Sequence, residues 1–578
     1  MVQGPTIRQS QFILTYGVGS LVQVPRGRSR VIPEISEWSK ELASDPESYI
    51  ADHELEIGAD KATQTLVEDA RVFTIPTNAD LGLPDEVPIF RTRPFPTWGL
   101  CENHDPKILG PISTSANMTC PKCHQPITTN AIRFIRACPK GHMDDVEWSR
   151  IIHQNSRCRE LYYEWVVLGT ELRTILLRCT KCHAQITMDD VYAFTRQHEC
   201  SGYWAENGQH EACDKTSAVL LKNASNLRIP WVVSSLTIPP MSSQLHNILL
   251  HRPIKNIVVS EPTWTKKGLL QKLKYASETA GEIKEHQILA LWEAPEKELL
   301  QAIEDVKHDL KGAPSPQSVR IQEFERLMYS AVHGAPPEVS KVPQDFEVDK
   351  YALRSFRLPW GQTIRVTPIK KLKVTTVQRG YYRPVRGGED AKPVDRFLFD
   401  GIKKWYPGIE LRGEGIFLDI PEGPISPDAA TAESWLRYYN ANGLQVMHPV
   451  FVWWHTLSHR IMISLGLDSG YSSASLRERV YFDLGVSQPK GGVLIYAAQR
   501  GGDGTLGGLI ALVPEFDRIL GLAFDGIRIC SNDPLCGETM IGPNRQNGAA
   551  CYACSIVSET SCEWQNKFLD RNLIGSLS

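Results

Sequence analysis

The arrangement of 14 cysteines constrains this chain more than any other feature of its sequence. Nine lie between Cys101 and Cys213, five lie between Cys530 and Cys562, and three pairs have the CxxC spacing. A CxxC turn presents two thiolates to one ion, and two such half-sites complete a tetrahedral zinc site. Residues 1–11 lack the cationic start and apolar stretch of a secretory signal, so we expect a reducing cytoplasmic setting, with metal sites and not disulfides.

The spacing predicts three zinc sites, each surrounded by four protein ligands. The expected ligands are, site by site, Cys120, Cys123, Cys138 and His142; Cys179, Cys182, Cys200 and Cys213; and Cys530, Cys536, Cys551 and Cys554. Plausible substitutes in the first two sites are Cys101, Cys158, His183, His198 and His210. At the third site, Cys562 is either a buried thiol or a ligand. Because four protein ligands leave no position for water or substrate, the expected role is structural zinc; the alternative is buried free thiols.

The chain has 578 residues, which is too long for one hydrophobic core and predicts several domains. Its apolar periodicities favour an α+β multidomain fold with zinc-ribbon-like modules, a helical arm and a C-terminal α/β zinc-binding domain. The expected regions are 1–100 (N-terminal, mixed), 101–262 (double zinc-ribbon-like), 263–345 (helical arm), 346–423 (β-rich and basic) and 424–578 (C-terminal zinc domain).

The most apolar window, residues 446–467, is interrupted by three histidines and an arginine. This predicts a buried helix and not a membrane span. His455 and His459 lie four residues apart on that helix, so they share a face that a metal could use. The glutamate of an HExxH motif is missing, and the surrounding residues are apolar, so we expect core or interface histidines in preference to ligands.

Two further segments could contact a polyanion, although the net charge of −3 gives no global attraction to nucleic acid. The run RVTPIKKLKVTTVQRGYYRPVR contains no acidic residue, and its cations can neutralise phosphates or form a solvated face. Its candidate nucleic-acid-binding residues are Arg365, Lys370, Lys371, Lys373, Arg379, Arg383 and Arg386. The second segment, Gly501 to Gly508 with Asp503 at its tip, lacks a Walker or GxGxxG order and favours close backbone packing.

Several motifs together resemble a known family. The runs HTLSHRIMISLGLDSGYSSASLRERVYF, GGVLIYAAQRGGDGTLGGL and CSNDPLC, with the cysteines that follow, resemble the C-terminal domain of MrfA-type DNA-repair helicases. The runs IRQSQFILTYGVGSLVQV, RFIRACPKGHMDDVEW and IKKLKVTTVQRGYYR extend the likeness, so that most of the chain is similar to the DrmB family of the DISARM anti-phage defence system. The family's GFTR-like segment is replaced here by RGYYR.

The resemblance implies a non-catalytic zinc-binding subunit that pairs with a DrmA-like superfamily 2 helicase. That helicase would carry the ATPase, the pair would engage invading DNA, and another component would methylate host DNA. Two other classes stay open from the residues alone. One is a metal-dependent nuclease or phosphodiesterase that uses Asp503 or the pair His455 and His459; the other is an assembly scaffold that makes no DNA contact.

Overall fold

A computed structural model gives the structure of the protein. The residues that the structure describes are 7–24, 28–34, 49–50, 70–75, 77–79, 82, 84, 92–112, 119–127, 131–154, 157–238, 245, 248–249, 251–281, 283–309, 316–334, 345–385, 391–396, 398–400, 403–421, 429–441, 443, 446–472, 474–484, 489–499, 507–542 and 545–575.

The chain forms two compact units, each built from three separate segments. Unit 1 comprises Met1–Ser44, Ile75–Val232 and Gln378–Pro407. Unit 2 comprises Asp45–Thr74, Val233–Val377 and Gly408–Ser578. The five consecutive regions expected from the sequence remain predictions.

Helices occur in both units. In chain order they are α1 (Gln9–Leu14), α2 (Trp148–Ile152), α3 (Met188–Gln197), α4 (Arg252–Val259), α5 (Lys266–Ala280), α6 (Glu285–Glu293), α7 (Glu296–Asp309), α8 (Pro316–His333), α9 (Ala429–Ala441), α10 (Pro449–Asp468), α11 (Phe516–Arg528) and α12 (Asn572–Gly575).

The strands are mostly short in unit 1 and longer in unit 2. They are β1 (Leu21–Val24), β2 (Arg28–Val31), β3 (Tyr49–Ile50), β4 (Ala70–Thr74), β5 (Arg93–Pro94), β6 (Trp98–Cys101), β7 (Lys107–Pro111), β8 (Phe134–Ala137), β9 (Met143–Asp144), β10 (Tyr163–Val167), β11 (Ile175–Cys179), β12 (Gln185–Thr187), β13 (Tyr203–Trp204), β14 (Gln209–His210), β15 (Ala218–Leu221), β16 (Ile229–Leu236), β17 (Phe346–Val348), β18 (Arg354–Arg357), β19 (Thr363–Tyr382), β20 (Val394–Asp395), β21 (Leu398–Asp400), β22 (Lys403–Asp419), β23 (Leu476–Asp483) and β24 (Lys490–Gln499).

Unit 1 contains three small sheets, with the strand orders β1-β2-β5, β12-β11-β10-β7-β6 and β14-β13-β9-β8-β15. Aromatic residues fill the space between the short strands. Trp148 and Trp165 meet edge to face with ring centroids 6.2 Å apart, and Phe134 packs on Trp165 at 5.9 Å. The apolar core of this unit therefore consists of several clusters, two of which combine residues from different sheets.

Unit 2 is organised around antiparallel strands in the order β19-β22-β24-β23, with α10 packed on β23 and β24 and α11 packed on α10. Helix α10 begins where the His448 imidazole accepts a hydrogen bond from the Val450 N–H, and Pro449 occupies its first turn. A Cβ at Gly491 would lie 2.2 Å from Trp454, so glycine lets β24 approach the helix closely. The expected buried helix at 446–467 is confirmed, since Trp453, Leu457 and most of its other apolar residues are buried.

The segment expected to be a helical arm is indeed helical, and α4 to α7 share their own apolar core. Thr265 caps α5 by accepting a hydrogen bond from the Gly268 N–H at 3.2 Å, and Gly281 ends that helix at φ 63°. With mixed α and β structure and several cysteine clusters, the expected α+β class is confirmed. In the described part of the chain, no helix has the length and apolar character that crossing a membrane requires.

Candidate metal centres

Cluster A, in unit 1, consists of Cys101, His104, Cys120 and Cys123. Cys101 ends β6, and its Sγ lies 3.7 Å from the Cys123 Sγ. The Cys120 Sγ lies 3.3 Å from the Nε2 of His104. A hydrogen bond from the Gln125 backbone lowers the pKa of Cys123 to about 6. That environment favours the thiolate, which is the form that binds metal.

Cluster C, also in unit 1, consists of His153, Cys158, Cys179 and Cys182. The Sγ atoms of Cys158 and Cys179 are 3.9 Å apart. The Cys179 sulfur accepts hydrogen bonds from the backbone N–H groups of residues 181 and 182, both at 3.4 Å. The Nε2 of His153 is buried and has no hydrogen-bond partner among the described residues. A bound ion would satisfy this nitrogen, so the cluster fits a metal.

The CxxC turns of clusters A and C have the same backbone geometry. Each is followed by a histidine in the left-handed region, His124 and His183, both at φ 58°. In each turn that histidine donates its N–H to the carbonyl of the first cysteine, Cys120 at 2.9 Å or Cys179 at 3.2 Å. His183 therefore closes a turn and does not join the four ligand atoms of cluster C.

Cluster B consists of Cys138, His142, Cys200 and Cys213 and lies at the hairpin between β8 and β9. The Cys138 Sγ lies 3.3 Å from the His142 Nδ1 and 4.0 Å from the Cys213 Sγ. A hydrogen bond from Cys200, with His142 beside it, lowers the pKa of Cys138 to about 4 despite burial. The His142 Nε2 donates to Glu211 at 2.8 Å, which leaves Nδ1 as the ligand atom.

Cluster D, in unit 2, consists of Cys530, Cys536, Cys551 and Cys554. The Sγ of Cys551 lies 3.5 Å from that of Cys530 and 3.8 Å from that of Cys554, and Cys536 lies 3.7 Å from Cys554. A tetrahedron of zinc bonds about 2.0 to 2.3 Å long has ligand-to-ligand edges of about 3.3 to 3.8 Å. The separations in clusters A to D match these edges, so the donor sets fit zinc.

All 12 residues expected as metal ligands lie in these four clusters, but the expected first two groupings are wrong. Cys120 and Cys123 join Cys101, whereas Cys138 joins Cys213. The reason is topological: Cys101 ends a strand of the sheet that contains β6 and β7, whereas Cys138 follows β8 in a different sheet. The pair Cys120 and Cys123 and the next pair in the sequence, Cys138 and His142, therefore belong to different clusters.

The grouping expected for Cys179 and Cys182 is corrected in the same way, because their partners are His153 and Cys158. Of the suggested substitutes, Cys101 and Cys158 belong to clusters. His198 instead hydrogen-bonds the Phe194 carbonyl, and His210 lies near the Ser201 carbonyl.

The sequence interpretation missed two candidate ligands, His104 and His153. A signal for His104 was present, because Cys101 and His104 form a Cys-x2-His half-site. No comparable spacing signal marks His153, which is placed beside its cluster by the end of α2.

The described part of the basic run, residues 365–385, does not present the unpaired charge that its composition suggested. In unit 2, Arg365 pairs with Asp419, Lys370 with Asp349 at 2.7 Å, Lys371 with Glu347 at 3.0 Å and Lys373 with Glu410 at 3.0 Å. Acidic residues from β17, β22 and the turn after β17 supply what the run itself lacks. Its local charge is therefore offset within the fold.

Two arginines of the run, Arg379 and Arg383, lie in the described part of unit 1 and have structural partners. Arg379 pairs with Asp395 at 2.5 Å. Arg383 is fully buried and donates to the backbone carbonyls of residues 19, 141 and 227 at 2.7 to 3.0 Å. The RGYYR segment thus joins separate parts of unit 1. Arg386, Asp503 and the glycines Gly501, Gly502 and Gly504 lie outside the described residues.

Comparisons with known proteins agree with the cysteine geometry. A family model described as a domain of unknown function (DUF8724) matches residues 8–229, and a model described as the MrfA Zn-binding domain matches residues 457–555. The DISARM protein DrmB of Bacillus paralicheniformis is 26% identical over 522 residues, which cover 83% of this chain and 88% of that protein.

Among solved structures, the DUF1998 helicase MrfA bound to DNA is a neighbour with a TM-score of 0.17 and 9% identity. The match covers 37% of this chain and about a quarter, 24%, of that helicase. At this TM-score the two folds are not shown to be alike, so the similarity of this chain to known proteins is judged from the sequence matches. The range 457–555 includes all four cysteines of cluster D. The chain is similar to the DISARM protein DrmB over most of its length, and its C-terminal part matches the model of the MrfA Zn-binding domain.

Proposed function

We propose that this chain is a zinc-binding subunit of a DISARM-type anti-phage system, which pairs with a DrmA-like superfamily 2 helicase to engage foreign DNA. The observation that carries the proposal is the likeness to DrmB, because it spans most of both chains, 83% and 88%. The helicase partner follows from the family resemblance. Zinc is supported independently by the donor sets of clusters A to D.

The proposed subunit does not catalyse a reaction itself. Each of clusters A to D offers four protein ligands, so a bound zinc has no open position at which to activate water. Structural zinc in these clusters would fix loops and short strands. The nuclease alternative that uses His455 and His459 loses support, because both histidines are completely buried, out of reach of DNA.

A second candidate function is an assembly scaffold that makes no contact with DNA. The ion pairs of the basic run favour it, since Lys370 and Lys371 each have a carboxylate partner. A phosphate would have to compete with that carboxylate. In this case the helicase would provide the whole DNA-binding surface.

Co-expression with a DrmA-like superfamily 2 helicase tests the proposal. We expect a complex that survives gel filtration, and tighter DNA binding by the complex than by the helicase alone at equal salt concentration. The chain alone should cleave no DNA with added Mg²⁺, Mn²⁺ or Zn²⁺. Failure to form the complex would refute the proposal. A complex whose DNA affinity and salt dependence equal those of the helicase alone would favour the scaffold.

A further inference from the structure

A fifth cluster of ligand atoms, cluster E, lies inside unit 2. It consists of His455 and His459 on α10, Glu478 on β23 and Cys562 in the segment before α12. The two histidines and the glutamate have no exposed surface, and Cys562 is 5% exposed. One ligand atom from each lies within 4.8 Å of the others. We propose that these four residues form a closed site for a divalent transition metal ion, of which zinc suits the mixed donor set best.

The hydrogen bonding of His459 points to a cation. Its Nδ1 lies 2.7 Å from the backbone carbonyl oxygen of Ser555, and a carbonyl can only accept, so Nδ1 carries a proton. In a neutral imidazole, Nε2 then presents a lone pair. That lone pair faces the Glu478 Oε1 at 3.0 Å, which is also an acceptor. A metal ion between the two atoms would satisfy both, as would a buried imidazolium.

His455 approaches the same centre. Its Nε2 lies 2.9 Å from the Glu478 Oε1 and 3.1 Å from the Cys562 Sγ. The tetrahedral edges of a zinc site are about 3.3 to 3.8 Å, so these contacts need to widen by only some tenths of an ångström.

The sulfur of Cys562 has surroundings like those of the other clusters. It accepts hydrogen bonds from the backbone N–H groups of Trp564 and Asn566, both at 3.3 Å. The Cys179 sulfur of cluster C accepts two such bonds as well. The backbone therefore surrounds the Cys562 sulfur as it surrounds the Cys179 sulfur of cluster C.

Charge balance also favours an ion. Two neutral imidazoles, one carboxylate and one thiolate around a dication sum to zero, whereas a buried carboxylate without a cation needs a protonated histidine or its own proton. The site is closed by four protein ligands, so its role is to fasten α10, β23 and the C-terminal segment together. Arg460 donates to the Cys554 carbonyl, and the Ser555 carbonyl orients His459. The adjacent residues Cys554 and Ser555 therefore connect cluster D to the helix that contains two ligands of cluster E.

Two of the four proposed ligands of cluster E lie outside the part of the chain that the family model matches. The range matched by the MrfA Zn-binding domain, 457–555, excludes both His455 and Cys562. The proposal is also independent of the helicase, because it concerns the metal content of the folded chain.

Metal counting on the full chain provides the first test. We expect Cys562→Ser and Glu478→Gln each to contain one metal equivalent fewer than the parent chain by native mass spectrometry, whatever the total is. The control His251→Gln removes another buried histidine of unit 2, one outside the five clusters, and should leave the count unchanged. An unchanged count in a folded Cys562→Ser chain overturns the proposal.

A crystal of the unaltered chain provides the second test, which holds even if the variants fail to fold. An anomalous difference map at the zinc absorption edge should show a peak among the four ligand atoms of cluster E. Direct contacts between the histidines and Glu478, with no peak among them, would establish a hydrogen-bonded network and refute the metal site. The peaks of clusters A to D serve as internal references, and their absence would count against the proposed zinc function separately.

Discussion

The two units place their candidate ligands in different surroundings. In unit 1, the sheets associated with clusters A to C have strands of two to five residues. In unit 2, strands of eight and ten residues, β23 and β24, pack against the 20-residue helix α10. Short strands bury little apolar surface, so we expect metal bound in clusters A to C to supply more of the stability of unit 1. Unit 2 can rely on its core.

Loss of a ligand in unit 1 should have the largest effect. His142→Gln removes a fully buried ligand atom of cluster B. Structural zinc in small modules contributes about 10 to 16 kcal/mol, so we expect loss of one zinc and strongly accelerated amide exchange in β8, β9 and β15. Exchange in β24 should stay slow. Mass spectrometry of zinc content and of hydrogen exchange measures both.

The matched control for that experiment is His210→Gln, since His210 is an exposed histidine outside the clusters. It should retain every zinc and the exchange pattern of the parent chain. Equal acceleration of amide exchange in β24 and β8 after His142→Gln would contradict the proposed difference between the units, because both units would then depend on cluster B.

A cavity in unit 2 should have the next largest effect, with no change in metal content. Leu465→Ala on α10 empties a fully buried position and should cost about 2 to 5 kcal/mol. Leu467→Ala on the same helix alters a side chain that is 75% exposed and should cost less than about 0.5 kcal/mol. Denaturant unfolding followed by exchange in β24 compares them. Loss of zinc in Leu465→Ala would show that core and metal are not separable there.

The buried Arg383 tests how much of the stability of unit 1 comes from polar contacts that involve no metal. Arg383→Lys replaces a planar group that donates to three backbone carbonyls with an ammonium that cannot reach them all. The expected cost is about 2 to 4 kcal/mol, with all zinc retained. The exposed Arg173→Lys is the control. A cost below that of the control would mean that metal alone holds unit 1 together.

The ligand types were predictable from sequence, but their grouping was predictable only locally. The four cysteines of cluster D lie within one short stretch of chain, so spacing alone brings them together. In cluster B, Cys138 and Cys213 are 75 positions apart, and sheet pairing decides that they meet. Spacing cannot encode such a long-range choice, which is why the half-sites of unit 1 were assigned to the wrong partners.

The charge pattern failed for a related reason. The sequence from Arg365 to Arg386 contains no acidic residue. Carboxylates on the neighbouring strands nevertheless lie next to the cations of β19. Lys371 is directly opposite Glu347 in the register of β17 and β19. The expected burial of His455 and His459 is confirmed. The sequence did not show that Glu478 and Cys562 would lie beside them.

The smallest expected effect concerns the surface of unit 2. Lys371 and Glu347 are 38% and 32% exposed, so their ion pair should contribute less than about 1 kcal/mol in a double-mutant cycle with Lys371→Ala and Glu347→Ala. High salt should remove even that contribution. A coupling above about 2 kcal/mol would mean that unit 2 depends on polar pairs at its edge and not on its apolar core.

The same pair distinguishes the two proposed functions, because Glu347→Ala frees the Lys371 ammonium without adding a charge. If the basic run contacts DNA, the complex with Glu347→Ala should bind DNA more tightly than the parent complex, and Lys371→Ala should bind it more weakly. If the chain is a scaffold, neither variant should change affinity or its salt dependence. The sign of the change matters more than its size, because a general loss of stability would weaken binding in both variants and could not strengthen it in one.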